Sequence, residues 1–249
     1  MLLDDQAAVV TGAASGIGRA TAIECTNHGA DVVVADIREE PKEEGAPTAE
    51  KIESETDSRA EFVECDITDH DDIMTALDAA EALGGLDIWV NNAGVFHYGN
   101  TLEMTREEFD RVANVNIRGT FFATQAAGRR LADRGGGSIV NVASTSGFRA
   151  SGMIGAYCAS KAAVIQLTRA FADELGQAGV RINAVSPGAV DTELARDRSE
   201  KEQKELVTSI PLRRVSDPVD IAGSIALLCS DLAGYIHGEN VVVDGGLTI

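Results

Sequence analysis

The sequence has few of the features that mark membrane, secreted or metal-binding proteins. No apolar run approaches the roughly 18 residues that suggest a membrane-spanning helix, and the first residues lack the basic and apolar regions of a secretory signal. The four cysteines, Cys25, Cys65, Cys158 and Cys229, are scattered, with no Cys-x-x-Cys pair and no histidine cluster beside them. We therefore expect reduced, buried thiols, a cytoplasmic location and no metal site.

Lysine is also scarce. The chain has 5 Lys against 16 Arg, and its net charge is −19, which argues against partners such as nucleic acid or an anionic membrane surface. Between Asp36 and Glu81 there are 17 acidic residues against 4 basic ones, and we interpret this region as a solvated face. Excess carboxylate with little lysine is typical of proteins from salt-loving organisms, because salt relieves the self-repulsion of a highly charged chain. We therefore expect a halophilic protein.

Short apolar runs alternate with helical patterns along the chain. This alternation predicts a Rossmann-type, doubly wound α/β fold, with a mainly parallel seven-stranded sheet and helices on both faces. The predicted strands cover residues 6–11, 31–35, 61–64, 86–90, 138–143, 181–185 and 240–243, and the predicted helices include 106–113, 116–132 and 217–229. With 249 residues and no linker or repeat, we expect one dinucleotide-binding and catalytic domain over residues 1–249. Residues 192–210 are polar and charged, and we predict a mobile helical lid there.

A glycine-rich turn joins the first predicted strand to a helix. Its spacing, Gly12-x-x-x-Gly16-x-Gly18, is one residue off the usual dinucleotide fingerprint. Such a turn brings backbone N–H groups and a helix N-terminus to a pyrophosphate, whereas the alternative is a merely flexible turn. Asp36 ends the second strand 18 residues after Gly18, near the interval expected of a ribose-binding carboxylate, and this favours cofactor binding.

Tyr157 and Lys161 begin a long, alanine-rich helical segment that runs to about Gly176. Residues four apart share one face of a helix, so the phenol and the ammonium are expected to point the same way. A neighbouring cation lowers the pKa of a phenol. Moving that pKa from about 10 to about 7 requires about 4 kcal/mol, which is the order of a close charge pair near a surface. The pair alone is a weak signal, because a packed tyrosine beside a solvated lysine is the commoner arrangement.

Taken together, the motifs resemble those of the short-chain dehydrogenases/reductases, in order and over essentially the whole chain. The matching residues are Thr11-Gly12-x-x-x-Gly16-x-Gly18, Asp66, Asn91-Asn92-Ala93-Gly94, Asn116, Ser144, Tyr157-x-x-x-Lys161 and Pro187-Gly188. Ser144 lies 13 residues before Tyr157, as in that family. Two departures are Cys158, where the family often has serine, and an acidic, insertion-like loop around residues 39–47.

The resemblance implies a role for each candidate catalytic residue. Tyr157 is expected to act as the general acid/base, Lys161 to lower its pKa and hold the nicotinamide ribose, and Ser144 to stabilise charge on the substrate oxygen. Asn116 is expected to help hold a water in a proton path toward Lys161, although it could equally be a helix N-cap. The residues expected at the cofactor are Gly12, Ser15, Gly16, Ile17, Gly18, Asp36, Asp66, Ile67, Asn92, Ala93, Gly94, Tyr157, Lys161, Pro187, Gly188, Val190 and Thr192.

Cofactor and substrate class follow from Asp36 and from the same resemblance. Asp36 favours NAD, because a carboxylate binds ribose hydroxyls and repels a 2′-phosphate, although Arg38 could swing onto such a phosphate. The chain resembles both sugar or polyol dehydrogenases and 3-oxoacyl thioester reductases. Since the latter usually use NADPH, we expect NAD-dependent hydride transfer between nicotinamide and a small alcohol or ketone, with sugar or secondary-alcohol oxidation favoured.

Two further expectations concern activity and assembly. A catalytically inactive, dinucleotide-sensing scaffold is disfavoured, because such relatives are expected to lose part of the Ser144, Tyr157 and Lys161 set, and all three are present. Members of the family are usually tetramers, so a homotetramer is expected. The helices that carry Asn116 and Tyr157 and the terminal residues 244–249 would form its contacts.

Overall fold

The structure, a computed structural model, describes residues 1–192 and 199–249. Strands and helices alternate through these residues. The strands are β1 (Ala7–Thr11), β2 (Asp31–Asp36), β3 (Ala60–Glu64), β4 (Leu86–Asn91), β5 (Gly137–Val142), β6 (Val180–Pro187) and β7 (Asn240–Val243). The α-helices are α1 (Gly16–Asn27), α2 (Thr48–Glu55), α3 (His70–Ala82), α4 (Arg106–Ala113), α5 (Thr120–Arg134), α6 (Gly155–Leu175), α7 (Glu200–Ser209) and α8 (Pro218–Cys229).

The strands form one sheet in the order β3-β2-β1-β4-β5-β6-β7, and every neighbouring pair is parallel. The predicted doubly wound α/β fold is therefore confirmed, with a sheet that is parallel throughout where a mainly parallel one was predicted. The strand order reverses between β1 and β4, and ligands of such sheets bind in the crevice beyond the carboxyl ends of the strands at this point.

Helices cover both faces of the sheet, which explains why its central strands are continuous apolar runs. Side chains of neighbouring strand residues point to opposite faces, so Val10 joins the core beneath α1 and α8, whereas Val9 joins the core beneath α3, α5 and α6. Both valines are fully buried. The two cores hold the sheet rigid from both sides and fix where each strand ends.

A chain of buried polar side chains crosses the second core. The indole of Trp89 donates to Asn91 Oδ1 at 2.7 Å, and Asn91 Nδ2 donates to Asn141 Oδ1 at 2.8 Å. Asn91 Nδ2 also donates to Thr124 Oγ1 at 2.9 Å, and Asn141 Nδ2 donates to Thr168 Oγ1 at 2.9 Å. The amides therefore connect β4 and β5 to each other and to α5 and α6. Each side-chain polar group of this network has a hydrogen-bond partner.

Two parts of the chain differ from the sequence prediction or extend it. The predicted helices 106–113 and 116–132 are joined into one continuous helix, because a π-helical turn at Asn114–Gly119 connects α4 to α5. In the predicted lid, α7 covers Glu200–Ser209 and begins with a capping box formed by Ser199 and Glu202, whereas residues 193–198 lie outside the described residues. Within the part of the chain that the structure describes, no helix is both long and apolar enough to cross a membrane.

Candidate active site

The glycine-rich turn between β1 and α1 is packed so closely that only glycine fits. Gly12 and Gly16 adopt positive φ values of +64° and +57°. A Cβ on Gly12 would lie 2.9 Å from Asn92 Nδ2, and one on Gly18 would collide with the carbonyl oxygen of Gly12. The turn therefore presents bare backbone at the N-terminus of α1, which fits the phosphates of a dinucleotide.

Thr11 and Asn92 join this turn to the end of β4. The Thr11 hydroxyl accepts hydrogen bonds from the backbone N–H groups of Asn92 and Ala93, both at 3.0 Å, and donates to Val90 O at 3.2 Å. The Asn92 side-chain amide donates to the carbonyl oxygens of Thr11 at 2.9 Å and Gly12 at 3.1 Å. The predicted cofactor residues Gly12, Asn92 and Ala93 are thus brought together on the two sides of the crevice.

Asp36 and Ser15 lie beside the turn as predicted. Asp36 Oδ2 accepts from the Ala14 N–H at 3.0 Å, and Oδ1 accepts from the Arg38 N–H at 3.3 Å, so the carboxylate is held at the end of β2. Ser15 Oγ accepts from the backbone N–H of Lys42 at 2.7 Å. The acidic loop is therefore folded onto the glycine turn.

The remaining predicted cofactor residues follow or end β1, β3, β4 and β6. Ile67 is buried against Gly119, and Asp66 Oδ1 accepts from the Thr68 N–H at 2.8 Å. Beyond β6, Gly188 donates its N–H to Val243 O at 3.1 Å. The other members of this set are Ile17 in the first turn of α1, Gly94 next to Ala93, Pro187 at the end of β6, Val190 in a bridge with Ser216, and Thr192, whose methyl group would lie 3.5 Å from a Cβ on Gly16.

Tyr157, Ser144 and Lys161 meet at the carboxyl end of β5. Ser144 follows this strand, and its side chain lies beside the phenol of Tyr157 in the first turn of α6. One helical turn further on, Lys161 Nζ is buried and donates to Val142 O at 2.8 Å. The Phe96 ring meets the Tyr157 ring edge-on, with centroids 4.9 Å apart, and covers one side of the phenol.

The electrostatics of this pair differ from the sequence expectation. Burial raises the pKa of the Tyr157 phenol, and the hydrogen bond from Ser144 opposes that rise. Burial also lowers the pKa of Lys161 from 10.5 to about 8. The lowered phenol pKa expected from Lys161 is not found here, because the ammonium is bound to the Val142 carbonyl and lies 5.8 Å from the centre of the Tyr157 ring.

Asn116 lies within the π-helical turn, close to the same residues. Its Oδ1 accepts from the Val95 N–H at 2.8 Å, and its Nδ2 donates to Val95 O at 2.9 Å and to Ser160 Oγ at 3.0 Å. Ser160 in turn donates to the Tyr157 carbonyl oxygen at 2.8 Å. The N-cap interpretation of Asn116 is therefore wrong, because the residue is inside a continuous helix and its side chain joins that helix to α6 and to the segment after β4. Such π-turns, with their wider i to i+5 bonding, occur often at functional sites.

Four residues that contribute to this site were missed as site residues in the sequence. Thr11 and Ser160 stand inside recognised motifs but look like ordinary small polar residues, and their spatial partners are distant in sequence. Phe96 follows the Asn91–Gly94 motif, and its packing against Tyr157 depends on a contact between residues distant in sequence. Glu43 belongs to the acidic loop, and its contact with Gly16 N at 3.0 Å could not be anticipated from a charge run that is usually solvated.

The arrangement can move a proton and hold a nucleotide. The crevice offers a glycine turn at a helix N-terminus, a carboxylate for ribose hydroxyls and a phenol beside a serine hydroxyl, which together fit a nicotinamide dinucleotide and an alcohol or carbonyl substrate. Among the described residues, no group of three or more His, Cys, Asp or Glu side chains is placed to hold a metal ion.

Known proteins are similar to this chain in both sequence and architecture. Residues 12–248 match a family model of the short-chain dehydrogenases that is described as "Enoyl-(Acyl carrier protein) reductase". The chain is 39% identical to the L-rhamnose 1-dehydrogenase (NAD(P)(+)) of Azotobacter vinelandii, covering 100% of this chain and 99% of that protein. It is 38% identical to the L-2,3-butanediol dehydrogenase of Corynebacterium glutamicum, covering 96% and 97%.

A solved structure has the same fold. The 7 alpha-hydroxysteroid dehydrogenase complexed with NADH and 7-oxo glycochenodeoxycholic acid superimposes with a TM-score of 0.90 at 31% identity, covering 98% of this chain and 94% of that one. With the glycine turn, the serine, tyrosine and lysine at the crevice, and these full-length similarities, the chain belongs to the short-chain dehydrogenase/reductase family of oxidoreductases, which use nicotinamide cofactors.

Proposed function

We propose that this protein is an NAD-dependent dehydrogenase that oxidises a sugar or another secondary alcohol, with Asn116, Ser144, Tyr157 and Lys161 as its catalytic residues. The observation that carries the proposal is the placement of the Ser144 side chain beside the Tyr157 phenol, with Lys161 buried one turn away on the same helix. This arrangement puts a hydrogen-bond donor and an acid/base on one substrate oxygen.

The protein's own residues handle the proton. Tyr157 takes the proton from the substrate hydroxyl during oxidation, and Ser144 steadies the negative charge that develops on that oxygen. Positive charge near the phenol favours its ionised form. The Lys161 ammonium is bound to Val142 O in the structure and does not lower the pKa of the phenol there, so the positively charged nicotinamide ring would supply this charge when bound. Asn116, held by Val95 and Ser160, keeps the turn beside Lys161 in place for a proton path to solvent. Hydride exchange with the substrate carbon is the chemistry that a bound nicotinamide supplies.

The cofactor would lie along the crevice from the glycine turn to Lys161. The turn of Gly12, Gly16 and Gly18 would hold its phosphates, and Asp36 would hold the adenosine ribose. The carboxylate supports NAD over NADP, because a 2′-phosphate beside it would be repelled by about 4 kcal/mol before screening. We expect Asp36→Ala to relax the preference toward NADP. An unchanged ratio of kcat/KM values for the two cofactors would refute this role.

The substrate class rests on the walls of the pocket and on the relatives. Segments 94–98 and 145–154 are expected to form the pocket walls, and they carry apolar Phe96 and Phe148 together with the polar His97 and Arg149. The ring of Phe96 packs edge-on against the Tyr157 ring. A wall that is part apolar and part polar suits a sugar or a diol, and the two relatives described above are named for a sugar and a diol.

A spectrophotometric screen tests the proposal. Purified protein is mixed with NAD and a panel of sugars, diols and secondary alcohols, and absorbance at about 340 nm is followed; 3-oxoacyl thioesters with NADPH form the competing arm. We expect turnover with an alcohol or sugar, and a loss of about 10²-fold or more in Tyr157→Phe, the usual contribution of a general acid/base. Turnover of thioesters alone, or full activity in Tyr157→Phe, would overturn the proposal. Binding of NAD without turnover of any substrate would favour a dinucleotide sensor instead.

We also propose that residues 1–249 act as one domain in a cytoplasmic, halophilic homotetramer. Free, buried cysteines support a reducing compartment. Exposed apolar side chains such as Phe109 and Phe122 near the π-turn, and Leu232 and Ile249 toward the C-terminus, support contacts between copies. The net charge of −19 supports dependence on salt. Sedimentation tests the assembly, and a melting temperature that does not rise between low salt and molar KCl would contradict the halophilic assignment.

A further inference from the structure

The acidic loop after β2 places a carboxylate on the glycine turn. Glu43 Oε1 accepts from the backbone N–H of Gly16, the first residue of α1, at 3.0 Å. Next to it, Ser15 Oγ accepts from the Lys42 N–H at 2.7 Å. The Glu43 side chain is 30% exposed, so this carboxylate is neither buried in the core nor free in solvent.

Arg19 holds the loop in this position. This arginine of α1 is itself buried, and its guanidinium donates to Ala46 O at 2.8 Å and to Thr48 Oγ1 at 2.9 Å. Its Nε lies 4.0 Å from Glu43 Oε1. Thr48 also donates to Ala13 O at 2.9 Å, which returns the connection to the glycine turn. These hydrogen bonds connect the loop to the turn, and they fix the position of Glu43 on Gly16.

Three consecutive residues of the turn are bonded to β2 and its loop. The Ala14 N–H donates to the Asp36 carboxylate, and the Gly16 N–H donates to the Glu43 carboxylate. Between them, the Ser15 hydroxyl oxygen accepts from the backbone N–H of Lys42. The two carboxylates thus lie on amides only two residues apart. A 2′-phosphate carries nearly two negative charges and needs free donors or cations, whereas the Ala14 and Gly16 N–H groups here are already bonded to carboxylates and the Arg19 guanidinium is bonded to the loop.

We infer that Glu43 is a second cofactor-selectivity residue, which acts with Asp36 to exclude the 2′-phosphate of NADP. The inference rests on the proposed NAD-dependent function and goes beyond it, because it assigns part of the selectivity to a loop outside the glycine turn and the end of β2. Glu43 adds negative charge beside the ribose site, which opposes a 2′-phosphate. NAD has hydroxyls at this ribose and is spared that repulsion, whereas the bond of Glu43 to the Gly16 N–H bears on both cofactors alike.

The test is the affinity of the full-length protein for NADH and NADPH, measured by isothermal titration calorimetry. Glu43→Gln removes the charge but retains an oxygen that can accept from Gly16, so the loop keeps its place. Glu44→Gln is the matched control, because it makes the same charge change at the next residue, which is exposed. We expect Glu43→Gln to tighten NADPH binding about tenfold, as for one screened like-charge contact, and NADH binding less than about twofold. Glu44→Gln should change neither by more than about twofold.

The other outcomes overturn the inference in different ways. Equal tightening of both cofactors would mean that Glu43 competes with the phosphates that NADH and NADPH share, and no change would mean that its contact only shapes the loop. If the wild-type protein binds NADPH more tightly than NADH, the proposed NAD preference fails. The role of Glu43 is judged separately, by the change in the NADPH-to-NADH ratio between variant and wild type.

Discussion

Replacing Lys161, the lysine proposed as catalytic, should stabilise the folded protein near neutral pH while abolishing its activity. Lys161 is buried, and its pKa falls from 10.5 to about 8 because burial disfavours the charged form. At about 1.36 kcal/mol per pKa unit, this difference corresponds to about 3 kcal/mol by which the charged side chain destabilises the fold. Lys161→Met removes the charge and keeps the length. It also loses the hydrogen bond to Val142 O, at a cost of about 1 kcal/mol. The net expectation is a gain of about 2 kcal/mol at pH 7.

The pH dependence provides the check on this reasoning. Below pH 8 the lysine is protonated in both folded and unfolded chains, and the folded state carries the full cost of the buried charge. Between pH 8 and 10.5 the unfolded chain binds more protons at this site than the folded chain, so wild-type stability from this group rises with pH. The advantage of Lys161→Met should therefore shrink by about 2 kcal/mol between pH 7 and about 9.5.

Urea unfolding at these two pH values measures the difference, provided that the transition is two-state with an unchanged m-value. Lys204→Met, on the exposed side of α7, is the control for loss of one lysine from the surface. A variant no more stable than wild type at pH 7, or an advantage that does not vary with pH, would refute the assigned burial cost.

Two further predictions concern side chains that hold the site together. Asn116→Ala should lower the free energy of unfolding by about 2–4 kcal/mol, because it strips hydrogen bonds from both backbone groups of Val95 and from the buried hydroxyl of Ser160. Urea melts measure this, and a loss below about 0.5 kcal/mol would contradict the bonding described. Thr11→Val keeps the shape but leaves the N–H groups of Asn92 and Ala93 without their acceptor, so NADH binding should weaken. Thr11→Ser should bind nearly as wild type, and equal binding by the Val and Ser variants would show that the hydroxyl is not needed.

The fold was predictable because local pattern and overall topology agree. Buried parallel strands read as short apolar runs, and each is followed by a helical pattern, so strand limits such as Ala7–Thr11 and Asn240–Val243 lie within about a residue of those predicted. The joined helices at residues 106–134 were missed at the connection. A π-turn has no distinct sequence period, and Asn114 and Asn116 resemble helix-capping residues when only the sequence is read.

The site was predictable where motifs carry chemistry and less so where it depends on packing. Ser144, Tyr157 and Lys161 were identified as candidates from the family resemblance, because the spacing of Tyr157 and Lys161 alone is a weak signal. The direction of the Tyr157 pKa depends on how deeply Phe96 and its neighbours bury the phenol and on which oxygen Lys161 reaches, and sequence spacing contains neither. The contact of Glu43 with Gly16 likewise depends on the path of a loop that an isolated charge count describes as solvated.

The buried amides of Asn91 and Asn141 protect the sheet against misalignment during folding. They are direct partners in the register of β4 and β5, and their side chains bond each other at 2.8 Å. A slip of one residue turns side chains to the opposite face, so both amides would be left without partners in an apolar layer, at about 1–3 kcal/mol for each group. Asn92 follows β4 and Ser144 lies just beyond β5. The two amides that disfavour a shifted register therefore also determine which residues lie opposite each other at the carboxyl ends of β4 and β5, in the absence of any ligand.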